Sequence, residues 1–519
     1  MSFEKSKCNF IKKTKLRDEQ IMLDSVISGT GSGDIKKIVW INAYPQVDTT
    51  EALTREISVS GKAVIEIVFL DEEDKICSAE SALPFLTKFL NDNVKPSTKI
   101  NINAAMSDIN FDERNAKISA VINFSIDITN VDEIELLNGG DENICLKEDE
   151  IISQNLVKDD CITFNEELKF AINESFDKIL SVNSDVVVKD TDCRNNFFVV
   201  QGEIITKIFY VVCGEIDQIC FVTSTESFKR EIETPALSDK ARVEVDAVIK
   251  KENLKYETNN DENTCNIIVN APITLCFNVY DEINVPCATD LYSLRNNLDI
   301  VTGSFEKTNI ISPLYLESRV EGSISLGDNE PRIDKMLGFS KGNSKITNQY
   351  IKDGEFVLEG IVGVDIMYLN DELQKINCVR KEIPFVVYEK TDAPKDFSIC
   401  SRIVLSDVEV IARRGRELFI DAKIKANIRF FGNEKGTAIT DAIMGEPLPI
   451  KEEAIEIYFA KAGDNLWEIA KELRTQPDVI IEQNPDFVSP LLENKNIMIY
   501  HQKNTNPTSA ILGKKTFDY

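Results

Sequence analysis

The sequence predicts a mostly β protein: three tandem sandwich-like β repeats followed by a small βααβ module. Three observations predict it. A stretch of alternating apolar and polar residues is written three times, at Val59–Phe85, Val199–Phe228 and Val357–Phe385. An upstream Ile38, Ile179 or Met336 precedes the shared Gly61, Gly202 or Gly360 by 23, 23 and 24 residues, and register held over that span marks a real repeat. Residues 455–501 then abandon the strand pattern for short amphipathic segments.

Aligned on the three glycines, the inward series runs Ala63, Ile65, Ile67 and Phe69 in the first copy. It runs Ile204, Thr206, Ile208 and Tyr210 in the second, and Val362, Val364, Ile366 and Tyr368 in the third. Period-two alternation of this kind is a strand with one buried face. The position five after each glycine is charged (Glu66, Lys207, Asp365), which puts those side chains on the opposite, solvent-facing side. Seven residues on, Val68, Phe209 and Met367 are apolar, so the far end of the strand is covered on both faces. Turns at Asp71–Asp74, Cys213–Asp217 and Asn370–Glu372 lead to return strands opened by Ile76, Ile219 and Ile376, a hairpin signature.

In chain order, residues 1–15 read as a mobile lead-in and Gln20–Ile27 as a strand. Gly29-Thr30-Gly31-Ser32-Gly33-Asp34 has glycines but neither GK[ST] nor GxGxxG spacing. The other copies place Asn173-Glu174-Ser175 and Leu326–Glu330 there, so this is a turn. Ser81–Val94 reads as a short helix, and Ile100–Ala105 and Lys117–Ile128 as strands. The first repeat covers 16–130, the second 160–288 and the third 313–450; residues 131–160 and 289–312 read as connectors. Cys265–Ala271 and Ile273–Val279 are strands. Val408–Ala412 and Leu418–Ile424 form a late hairpin turning at Arg413-Arg414-Gly415-Arg416, the one compact basic cluster, read as a solvated tip.

The 519 residues are enough for three or four domains. A net charge of −28 opposes nucleic-acid and anionic-membrane binding, and serves solubility. The twelve cysteines form no CxxC or zinc spacing and read as reduced thiols of a cytosolic protein, although Cys213 and Cys220 flank one turn closely enough to bridge. Cys77, Cys220 and Cys378, each just after the repeated isoleucine, read as small buried side chains. The N-terminus has no apolar signal region and no window reaches 18 apolar residues, so neither a signal peptide nor a transmembrane span is expected.

In the last module, 455–503, Ile457–Ala460 is a strand and Asp464 the expected N-cap of a helix over Leu466–Leu473, whose apolar stripe is Leu466, Ile469, Ala470 and Leu473. Pro477 opens a second helix that ends at Asn484-Pro485, and Ile497–Ile499 returns as a strand. Residues 504–519 read as a flexible tail. The run Lys461-Ala462-Gly463-Asp464-Asn465-Leu466-Trp467-Glu468-Ile469-Ala470-Lys471 resembles the signature of LysM domains. The resemblance implies a shallow groove for N-acetylglucosamine glycans or a protein partner, formed by Gly463, Asp464, Asn465 and Leu466 with Asn484, Pro485 and Asp486. Leu492-Glu493-Asn494-Lys495 replaces the family's Pro-Gly-Gln turn, and Asn465 its usual Thr or Ser. Trp467 reads first as a packing residue, and with Leu466 as a contributor to the apolar centre of a docking face.

The upstream copies are similar to the SPOCS repeats of spore-forming bacteria. Three such repeats followed by a LysM domain resemble spore-coat morphogenetic proteins. That resemblance implies a mother-cell cytoplasmic scaffold recruited to the forespore surface, where its LysM domain binds the coat basement-layer ATPase (SpoIVA-type). Catalysis finds no support: the one histidine, His501, has no patterned partner, no cofactor motif or metal set occurs, and no residue set breaks the repeat symmetry as a site should. Competing readings are a peptidoglycan-binding protein, a LysM-targeted glycan hydrolase using two carboxylates, and a structural protein that self-associates through its strands.

Overall fold

The computed structural model describes residues 3–500 apart from 27–34, 113–116, 173–175, 213–217, 261–264, 342–343, 371–374 and 450–454. The expected Gly29–Asp34 and Asn173–Ser175 turns, the Cys213–Cys220 pair, His501 and the tail lie wholly or partly outside these residues.

The first unit contains β1 (Glu4–Lys15), β2 (Glu19–Val26), β3 (Lys37–Leu53), β4 (Glu56–Leu70), β5 (Ile76–Leu90), β6 (Lys99–Asp112) and β7 (Lys117–Gly139). The second contains β8 (Ile144–Ile172), β9 (Phe176–Cys193), β10 (Phe197–Val212), β11 (Gln218–Glu233), β12 (Arg242–Ile249), β13 (Lys255–Asn260) and β14 (Cys265–Ser293). The third contains β15 (Asn296–Ile310), β16 (Leu314–Ser325), β17 (Ile333–Lys341), β18 (Lys345–Lys352), β19 (Glu355–Asn370), β20 (Ile376–Lys390), β21 (Ser398–Arg413) and β22 (Glu417–Pro447). In the first two units a three-stranded antiparallel sheet centred on β4 or β10, and in the third a four-stranded one centred on β19 in which β17 and β18 share one edge, faces a four-stranded sheet centred on β7, β14 or β22. Their inward residues form one apolar core per sandwich.

The register explains the repeated glycines. Gly61, Gly202 and Gly360 stand directly opposite Phe85, Phe228 and Phe385, the residues that close each copied stretch. The Phe ring lies on its glycine, in the space a Cβ would fill. On the other flank the neighbouring strand slips register beside each glycine. A second slip skips Val39, Leu180 and Leu337, and this bulge turns those side chains away from their own sandwich. They meet Val68, Phe209 and Met367, and the isoleucines that open the return strands, in one cluster shared by all three units. The expected two-sided burial at that end of the strand is thus met by neighbouring units.

The charged series is not solvent-facing. Glu66 of the first unit accepts hydrogen bonds from Ser181 Oγ at 3.0 Å and Asn183 Nδ2 at 3.2 Å of the second, and pairs with Lys251 at 2.5 Å. Lys207 of the second donates to the Phe339 carbonyl of the third at 2.6 Å. Asp365 of the third accepts from Trp40 Nε1 of the first. The units therefore close head to tail into a ring of three. The alternation holds, and the outward face of each strand is the face on which the next unit packs.

Five further expectations are corrected. Residues 1–15 are no lead-in: β1 pairs along β7 from Glu4 to Lys15, burying Cys8, Phe10 and Ile11. The connectors at 131–160 and 289–312 are long strand continuations; β1, β7, β8, β14, β15 and β22 run past the sandwiches and pack together around small apolar clusters. Ser81–Val94 is not helical. Phe85 and Phe89 turn inward and Leu86 and Leu90 outward along β5, whose helix-like apolar spacing served strand alternation instead. Pro84 is tolerated because β5 is an edge strand. The cysteines are not all thiols: Cys161 and Cys276, directly opposed on β8 and β14, form a disulfide. Cys378, expected buried, is exposed.

At the base of the extended strands sits a buried ionic cluster. Lys13 Nζ contacts both Glu244 oxygens, at 2.8 and 2.6 Å, and lies 3.5 Å from Asp127. Arg429 pairs with Asp246 at 2.8 Å and reaches Asp127 at 3.8 Å. The Arg413–Arg416 turn is formed by Arg414 and Gly415 at positive φ, with Arg414 in solvent.

Candidate functional site

The C-terminal module comprises β23 (Ile455–Ala460), α1 (Leu466–Leu473), α2 (Pro477–Gln483) and β24 (Lys495–Tyr500), with β23 and β24 antiparallel. Leu466, Ile469, Ala470 and Leu473 are buried along one side of α1, against Ile480, Ile497 and Ile499. The N-cap is Asn465, one residue after the expected Asp464: its side chain accepts from Glu468 N at 2.9 Å. Asp464 instead closes the preceding turn, accepting from Lys461 N at 2.8 Å.

The turn at Gly463 needs a left-handed backbone (φ 96°), which glycine adopts without strain. A second loop is stapled to it. Gly463 N donates to the Leu491 carbonyl at 2.8 Å, Leu491 N to the Asp464 carbonyl at 2.9 Å, and Leu466 N to Ser489 Oγ at 3.1 Å. Asn484 is buried and fully committed: its amide donates to the Ile480 and Met498 carbonyls and accepts from Met498 N. Pro485 and Asp486 are exposed. Of the eight anticipated residues, Gly463, Asp464, Asn465, Pro485 and Asp486 thus border solvent, whereas Leu466 and Asn484 are internal structure.

Trp467 is engaged elsewhere in the chain. Its Nε1 donates to Asp290 Oδ2 at 2.8 Å, and its ring meets Tyr292 edge-on at 5.1 Å. Lys471, one helical turn on, reaches both Asp290 oxygens at 2.7 Å. Tyr292 OH donates to the Thr475 carbonyl at 2.6 Å, and Arg474 Nη1 donates to the Ser293 carbonyl at 3.4 Å. Burial alone would raise the Asp290 carboxyl; the Lys471 ammonium and the Trp467 N–H outweigh it and hold the group below the usual carboxylate range. The outer flank of α1, anticipated as a docking centre, is the seam that seats the module on the tip of β14. Nothing near Trp467 in sequence signals Asp290.

The open side carries an apolar contribution missed from sequence. Leu492 is 87% exposed and Val488 59% exposed, on the loop that Leu491 ties to Asp464. Among the described residues no group of three or more His, Cys, Asp or Glu is placed to hold a metal ion, and no helix is long and apolar enough to cross a membrane.

Two stretches of the chain, 34–113 and 176–257, match the family described as SipL, SPOCS domain. They correspond to the three-stranded sheets of the first and second units with the strands that follow. No curated protein and no solved structure matches the chain.

Proposed function

We propose that this chain, two of whose units match the SPOCS domain of SipL, is a SipL-type spore-coat morphogenetic scaffold, non-catalytic, acting in the mother cell at the forespore surface. The observation that carries this reading is the pair of matches on structurally equivalent units of a closed three-unit body. The third unit repeats the glycine–phenylalanine register and is read as a third SPOCS repeat. The C-terminal module is read as a LysM domain that docks the coat basement-layer ATPase (SpoIVA-type). Its free face supports that role: the polar Asp464, Asn465 and Asp486 border solvent, the exposed Val488 and Leu492 lie on the loop tied to Asp464, and apolar side chains beside polar ones suit a protein partner.

Co-purification tests it. The full chain should retain the ATPase, and Leu492→Asp or a chain ending at Pro449 should lose it, while neither is retained on purified peptidoglycan. Strong peptidoglycan retention without ATPase binding would instead establish a wall-binding protein. Turnover of glycan that one carboxylate substitution abolishes would establish a hydrolase.

A further inference from the structure

We propose that two copies of this chain pack together through the outer face of the two-stranded sheet in the C-terminal module. Strand alternation divides β23 and β24 into two faces. Tyr458 and Ala460 on β23, with Ile497 and Ile499 on β24, turn toward the helices and join the module's core. The alternate residues point away from it: Ile455, Ile457 and Phe459 on β23, and Asn496, Met498 and Tyr500 on β24. Five of these six are large hydrophobic side chains, from 42% exposed at Met498 to 73% at Phe459, and none of the six is charged. The module is seated on β14 by the flank of α1, so the sheet face stays open when the module is docked. A contiguous apolar face of this kind marks an interaction site rather than ordinary surface.

Shape, area and charge fit a second copy of the same face. Register sets Ile455 opposite Tyr500, Ile457 opposite Met498 and Phe459 opposite Asn496. A two-fold axis running along the strands, midway between two stacked faces, lays β23 of one copy over β24 of the other and keeps each residue at its height. Phe459, the most exposed ring, then falls over the short Asn496 of the second copy, Ile457 over Met498 and Ile455 over Tyr500. At about 150–200 Å² for a side chain of this size, the exposed fractions leave roughly 400–500 Å² of apolar surface per copy. Homodimer interfaces are about 65% apolar, so about 900 Å² from two copies corresponds to about 1,400 Å² in all, inside the about 1,200–2,000 Å² of specific stable interfaces. Two chains of net charge −28 repel wherever their charged surfaces meet, and this face brings no charges together.

Sedimentation velocity of the full chain over a range of concentrations tests the proposal. The parent should reach twice the mass of one chain at micromolar concentrations. Ile457→Lys and Met498→Glu, both at exposed positions outside the module's core, should each weaken association at least tenfold. An equimolar mixture of the two variants should recover it, because opposite charges then meet across the axis. Leu492→Asp, on the loop assigned to the ATPase, should dimerise as the parent does, so this proposal and that reading fail separately. A parent that stays monomeric would overturn the proposal, as would undiminished association in both variants or a mixture that stays monomeric. Association seen only in a chain ending at Tyr500 would also overturn it, and would give the face to residues 501–519. A monomeric parent whose ATPase retention is lost in Ile457→Lys would give the face to that partner instead.

Discussion

Trp40 Nε1 donates a hydrogen bond of 3.1 Å to Asp365 Oδ2, joining residues 325 positions apart in the chain. The contact closes the ring, since Trp40 belongs to the first unit and Asp365 to the third. Arg380 holds the same carboxylate through Nε at 2.6 Å and Nη2 at 3.0 Å. Asp365 is only 2% exposed, so its removal leaves a half-buried guanidinium and the buried Trp40 N–H without their acceptor. Asp365→Ala should cost about 3 kcal/mol, and Asp365→Asn less because it keeps an acceptor for Trp40. Urea denaturation followed by tryptophan emission measures both. Equal, negligible costs would mean that the seam is not closed in solution.

Gly360 makes a second, steric prediction. A Cβ there would lie 2.5 Å from the Lys345 carbonyl and 2.5 Å from Phe385 Cζ. Backbone on one side and a packed ring on the other leave no easy relaxation. Gly360→Ala should destabilise by about 1–3 kcal/mol. Gly327→Ala, where the nearest atom is a Glu330 carboxylate oxygen at 3.7 Å, should be well tolerated in the same thermal melts.

Lys207 should make stability depend on pH. Its ammonium lies among three phenylalanine rings, nearest to Phe221 at 4.1 Å and Phe339 at 4.6 Å. Burial pushes it down to about 7, with Asp407 opposing. The unfolded chain therefore binds more protons than the folded one between pH 7 and the unfolded value of about 10.4. Stability attributable to Lys207 rises with pH across that window, and the penalty for burying the charge is complete below it. Lys207→Met should flatten the profile and raise stability most at pH 7 and below. Parallel profiles for parent and variant in pH-stepped urea melts would contradict this.

Lys13 shows where sequence reading stopped. Alternation, the register glycines and the βααβ order are local patterns, and the chain states them within a few residues. A lysine-rich N-terminus gives no local sign that Lys13, 2% exposed, will neutralise Glu244 of the second unit. Glu66, Lys207 and Asp365 likewise alternate as surface charges do, and only the ring makes them interior. The module's turn at Gly463 and its two helices were legible because they belong to one short motif. The commitment of Trp467 was not, because its acceptor lies 177 residues upstream. Lys13→Met should accordingly cost about 3–5 kcal/mol by leaving the buried Glu244 carboxylate without its cation and Asp127 with Arg429 alone. A chain lacking residues 1–15 should melt lower still; unaltered melting would return this segment to the lead-in expected from sequence.

Asp290 governs how the C-terminal module is held. It accepts from both Trp467 and Lys471, so Asp290→Ala removes the acceptor of one aromatic and one charged donor at one stroke, together about 2–3 kcal/mol. The module keeps its own core of Leu466, Ile469, Ile480 and Ile497, so it should stay folded and leave its seat on Tyr292. In a Trp40→Phe background, Trp467 is the sole indole: its emission should shift to the red and iodide quenching should increase in Asp290→Ala. The carboxyl is held low, so the contribution of the latch is complete above its unfolded value of about 3.9 and is lost as pH falls through the lower folded value. Acid undocking should therefore lie below pH 4 in the parent. Quenching that is the same in parent and Asp290→Ala would show that the module does not sit on β14 in solution.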